Sequence, residues 1–102
     1  MLKTIFISMF LMLQARAAQH QKIDTLGASP KGQFIAVEEY GYQPDNKSFY
    51  VTIKILNIWR KEYVGEPVKV EMPAKGNILK DARQKAKEMA QEILKSYNIV
   101  SG

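Results

Sequence analysis

The chain has 102 residues, a formal net charge of +5, one histidine and no cysteine. That length holds one domain, with or without a targeting segment. The composition excludes a disulfide scaffold, a thiolate metal site, a Cys nucleophile and a Cys lipid anchor, and it leaves no multi-histidine metal centre and a poor case for a Ser–His triad.

Residues 1–17 read as a cleavable secretory signal peptide. Met1-Leu2-Lys3-Thr4 is a short basic start, and Ile5 to Leu13 is apolar except for Ser8. Ala15 and Ala17 supply the small residues of an A-x-A site, so cleavage is expected after Ala17 or one residue later. A spanning helix needs roughly 20 apolar residues, so the stretch is a signal rather than an anchor, and no stable membrane span remains after cleavage. Loss of Lys3 and Arg16 lowers the formal charge from +5 to +3. Basicity is then mild, and nucleic acid is not an expected partner. The expected location is periplasmic or secreted.

Residues 18–28 are polar, with isolated Ile23 and Leu26, and form either a short first strand or an extended lead-in. Ser29-Pro30-Lys31-Gly32 is a turn, because Pro30 presets φ at the second position and Gly32 suits the fourth. Gln33 to Tyr40 then reads as a strand, with Phe34, Ile35 and Val37 favouring the pleated state. Gly41 to Lys47 is a loop.

Ser48 to Trp59 is the longest β signal. Phe49, Val51, Ile53 and Ile55 fall on one face, and Tyr50, Thr52, Lys54 and Leu56 on the other, the pattern of a half-covered antiparallel strand. Arg60-Lys61-Glu62 is a polar turn. Tyr63 to Met72 is the last strand of the meander, and Pro67, which donates no ladder hydrogen bond, points to an edge position or a late strand start.

Pro73 to Asn77 ends the β region, with Asn77 as the expected N-cap. From about Ile78 to Tyr97, apolar residues recur at three- and four-residue steps and make one stripe. Asp81 and Lys85 are an i,i+4 pair in the favourable order. Asn98 is the expected stop residue, followed by a short tail. The expected fold is α+β: a three- to four-stranded antiparallel, blade-like β-meander over 29–73, covered by one C-terminal α-helix over 77–98.

The segment Ser29-Pro30-Lys31-Gly32-Gln33-Phe34-Ile35-Ala36, followed by Tyr50 to Ile58, resembles one blade of a TolB-type or WD-like β-propeller. Ala36 to Tyr42, together with Ile58-Trp59 and Val64 to Val70, resembles a family of uncharacterised bacterial predicted secreted proteins. The resemblance implies export and a blade-like β unit, and carries no activity or catalytic residue. A closed propeller needs about four or more blades, and this length holds one; no repeat of blade length is present.

Glu38 and Glu39 are adjacent carboxylates, but strand neighbours point to opposite faces. They do not share a proton or a metal, and they read as solvated charges. Glu38 or Glu39 acting with Asp45 is the one acid/base alternative, and it defines the runner-up function, a small secreted enzyme or inhibitor. His20 stands alone, and the serines lack a nucleophile context. The helix charges Lys80, Arg83, Lys85, Lys87, Asp81, Glu88 and Glu92 read as a solvated face.

Tyr40, Tyr42, Tyr50, Trp59 and Tyr63, with Lys54, Arg60 and Lys61 close in sequence, form the candidate ligand or partner surface, since rings interleaved with cations bind glycans or acidic protein segments. The competing reading is that the rings cap a small core. No catalytic, cofactor or metal site is expected. The leading expectation is a small exported, non-enzymatic binding or interaction module of the bacterial envelope, whose partner is a protein or an envelope component. A degenerate single-blade relative of longer propeller-like proteins is a further alternative.

Overall fold

A computed structural model of the protein describes residues 21–101. The expected signal peptide, residues 1–17, and His20 lie outside the described residues. Four strands follow one another in chain order: β1 (Gln21–Ala28), β2 (Phe34–Gln43), β3 (Ser48–Asn57) and β4 (Glu62–Pro73). They pair antiparallel, each with its neighbour in sequence, as short turns between adjacent strands dictate. Helix α1 (Leu79–Ser96) packs back on one face, and β5 (Val100–Ser101) pairs antiparallel with Gly27 and Ala28 of β1. The sheet order is β4-β3-β2-β1-β5. The expected α+β meander with a C-terminal helix is therefore the observed architecture.

The turn at Ser29-Pro30-Lys31-Gly32 forms as its chemistry demands. Gly32 has φ +74°, and its N–H donates to the Ser29 carbonyl at 2.9 Å. The segment left open between strand and lead-in is a strand from Gln21, with one extra residue at Leu26. Leu26 lies two residues after Asp24, so alternation puts it on the helix side, where it packs against the core.

At the other edge, β4 carries Pro67 inside a larger bulge. Between the pairs Ile53–Val68 and Ile55–Val64, β3 advances two residues while β4 advances four. Gly65 absorbs the excess at φ +70°. A Cβ on Gly65 would stand 3.2 Å from Ile93 Cδ1, so the helix also rests on the missing side chain.

The core lies between α1 and the central strands. Val51, Ile53 and Val70 meet Ala82, Ala86 and Ala90, and all six are buried. Alanines four residues apart give the helix a flat face that sits close to the strands. The helix lies over β3 and β4 and touches β2 only lightly.

The start of the helix departs from expectation in detail. The N-cap position is Ile78 rather than Asn77, and the Asp81 carboxylate accepts the Ile78 N–H at 2.8 Å. Asp81 is thus committed to the helix start, and no Asp81–Lys85 ion pair is present among the described residues. Asn77 instead donates its side-chain amide to the Pro73 carbonyl at 2.9 Å.

Asn98 does stop the helix, in a left-handed conformation at φ +56°. The Asn98 N–H donates to Lys95 and the Ile99 N–H to Leu94, closing both ends of a Schellman motif. That reversal throws the expected tail back along β1, where it becomes β5.

Candidate functional site

The row of β2 that faces the helix is Ala36, Glu38 and Tyr40, all buried. Glu38 is fully buried, which corrects its reading as a solvated charge. Strand alternation put it on the same side as Ile53, its cross-strand partner, and a carboxylate there requires compensation. Arg83 supplies it. Its Nε and Nη2 donate to the two Glu38 oxygens at 3.0 and 2.8 Å, a two-point pairing. Nη2 also donates to Asp24 Oδ2 at 3.1 Å.

The Tyr40 hydroxyl donates to the same Asp24 oxygen at 2.8 Å, and the Arg83 guanidinium lies 4.0 Å above the Tyr40 ring. Arg83 is therefore not part of a solvated helix face. Its side chain covers the part of β2 that the helix body does not reach.

The charges of this cluster shape one another. The hydrogen bonds that Arg83 donates to Glu38 push its pKa upward, so the cation is fixed. The hydroxyl of Tyr40 is held above its ordinary value of 10.0, first by the bond it donates to Asp24 and then by burial. No buried side-chain polar atom among the described residues lacks a partner. Chemically this is a closed network: Glu38 has both oxygens engaged and is not placed to exchange a proton with a bound molecule.

The eight residues expected to share a surface are divided among three places. Tyr40 is buried, beneath Arg83. Tyr42 is on the same side of the sheet near the end of β2, in edge contact with Phe49 at 5.8 Å. Tyr50, Lys54 and Tyr63 lie on the opposite face, which no element covers among the described residues.

On that open face, Lys54 bonds Glu39 at 3.0 Å and stands 5.2 Å from the Tyr63 ring centre. Gln21 donates to the other Glu39 oxygen at 2.8 Å. Burial, and then the Glu39 charge, raise the Tyr50 pKa above 10.0. Trp59, Arg60 and Lys61 form the exposed β3–β4 turn, where Arg60 pairs with Glu62 at 3.3 Å and Lys61 takes φ +56°. Asp45 is exposed in the β2–β3 turn.

Lys54 and Tyr63 are thus close on the open face, Trp59 stands exposed in the turn that follows β3, and Tyr40 and Tyr42 belong to the helix side. The Arg83 cluster escaped the sequence reading. The available signal was parity: Glu38 falls between Ala36 and Tyr40 on a buried row, and Arg83 immediately follows Ala82 of the apolar stripe. Comparison with protein-family models, curated proteins and solved structures finds no match for this chain.

Proposed function

We propose that the chain is a small exported, non-enzymatic interaction module of the bacterial envelope, and that it meets a protein or envelope component through the open face of its sheet. The observation that carries this reading is the surface on that face. Tyr63 is 56% exposed beside the Lys54 ammonium, and Trp59, at the end of the same strand pair, is 62% exposed. Exposed aromatic rings next to a cation are the residue types that concentrate binding energy at interfaces.

Two further observations support it. Glu38 is closed off by Arg83, and Glu39 is held by Lys54 and Gln21, so neither carboxylate is free for acid/base work. Four antiparallel strands in meander order are the unit that the proposed blade resemblance implies. In that reading α1 lies where a propeller has a neighbouring blade.

The test is photo-crosslinking in bacterial cells producing the full chain, with the crosslinker at position 63 or, as control, at position 45 in the exposed β2–β3 turn. The expected result is a discrete adduct from position 63 only, in an envelope or periplasmic fraction, on a chain whose N-terminus begins at residue 18 or 19. An intact N-terminus in the cytoplasm overturns the export, and equal labelling from both positions overturns the surface.

A further inference from the structure

We infer that the flank of α1 facing β1 is a docking groove for an acidic amphipathic helix of a partner protein. This surface lies on the helix side of the sheet, away from the open face, so the two readings stand or fall separately.

A helix is about 10 Å across and strands are about 4.8 Å apart, so one helix clothes roughly two strands. Helix α1 spends that width on β3 and β4. The helix side of β1, and part of β2, is left without a covering element among the described residues. Arg83 bridges the nearest part of the gap, and beyond it Asp24 remains half exposed.

Two open depressions run along this flank, of about 520 and 470 Å³, and they share Lys87. Leu79 lines the first, and Leu26, Leu94 and Ile99 line the second. Their charged lining consists of Lys80, Arg83, Lys87 and Lys95. Asp24 borders this flank but is already committed to Arg83 and Tyr40.

Three of the α1 lysines fall toward this flank, whereas Lys85 lies among the acidic residues. Lys80 and Lys87 are seven residues apart and Lys95 eight further, which keeps all three on or near one side of the helix. Asp81 and Glu88 each follow one of these lysines and so lie about 100° around the helix. No ion pair among the described residues engages Lys80, Lys87 or Lys95.

Lys80, Gln84, Lys87, Gln91 and Leu94 follow one another at alternating four- and three-residue steps, so they form one continuous, mostly polar strip along this flank. A helix with leucines toward the depressions and glutamates toward the lysines would complete the second layer. From Lys80 to Lys95 the flank is about 22 Å long, some four turns.

Charge decides among occupants. A second copy would bring the same lysines against these and repel. Single-stranded nucleic acid needs stacking rings, and neither depression is lined by one.

The probe is a fluorescein-labelled synthetic peptide of 18 residues. Its leucines repeat at three- and four-residue steps with flanking glutamates, and a control peptide has lysine in place of every glutamate. Fluorescence anisotropy should show saturable binding of the acidic peptide, at least tenfold tighter than the control. Lys87→Glu should weaken it at least tenfold, and Leu26→Asp at least fivefold. Lys61→Glu, the same charge change at the β3–β4 turn, should alter it less than twofold. Melting curves report that each variant is folded, and a second reversal, Lys80→Glu, replaces any that is not.

Absence of saturable binding overturns the proposal. So does equal weakening by Lys61→Glu, which would mean attraction by net charge alone. Tighter, Lys87-dependent binding of phosphatidylglycerol vesicles or of a single-stranded oligonucleotide overturns it in favour of that ligand.

Discussion

Glu38 is a carboxylate with no exposed surface, and one arginine makes its burial tolerable. Breaking a buried ion pair by removing one partner costs about 3–5 kcal/mol, whereas replacing both by apolar residues is often neutral. The two partners differ in what they leave behind. Arg83→Ala strands a buried anion, while Glu38→Gln leaves a cation that still reaches Asp24 and solvent. Urea unfolding should therefore rank Arg83→Ala as the more damaging, by at least about 1 kcal/mol, with Glu38→Leu/Arg83→Leu less damaging than Arg83→Ala alone. Equal losses for both single variants would contradict the asymmetry.

The tyrosines set an alkaline limit at the same scale. Tyr40 and Tyr50 ionise above their ordinary 10.0 in the folded chain, Tyr40 through its bond to Asp24 and Tyr50 through burial. Above about pH 10 the unfolded chain releases these protons first and binds fewer of them than the folded chain. Their contribution is complete below that pH and is lost as pH rises through the folded values. The melting temperature should fall above pH 10, and less steeply in Tyr50→Phe than in the unsubstituted protein.

At the scale of elements, α1 is what makes the meander a domain. Val51, Ile53, Val70 and Tyr40 would otherwise be left half in water, and each such side chain is worth about 1.5–3 kcal/mol when buried. A chain ending at Ala74 should lose its cooperative thermal transition, and one that still melts cooperatively would show that the sheet is self-sufficient. The strands themselves were legible because alternation in Ser48 to Asn57 admits one reading. The helix was legible because its apolar stripe runs through Ala82, Ala86 and Ala90. The N-cap slipped by one residue because Asp81 reaches back to Ile78, a contact that competes with the cap Asn77 would have made. The short β5 was missed because two residues carry no pattern, and it exists only because the Schellman turn at Asn98 aims the chain at β1.

At the scale of the molecule, the sheet has more area than one helix covers. That mismatch leaves an open face bearing Tyr50, Lys54 and Tyr63, and a basic flank along α1 bearing Lys80, Lys87 and Lys95. The candidate surface was legible only in part. Aromatic and cationic residues near one another in sequence were visible, but strand parity sends Tyr40 and Tyr50 to opposite faces. The meander order, the turn at Pro30-Lys31-Gly32, the edge position of Pro67 and the stop at Asn98 follow from local chemistry: periodicity, fixed or permissive φ, and a missing donor. Whether Glu38 meets water or Arg83, which tyrosines stay accessible, and which strands the helix leaves bare depend on where α1 settles across the sheet. That placement follows from the alanine face of α1 and the space at Gly65, contacts between residues far apart in the chain, and so it was decided by the tertiary structure.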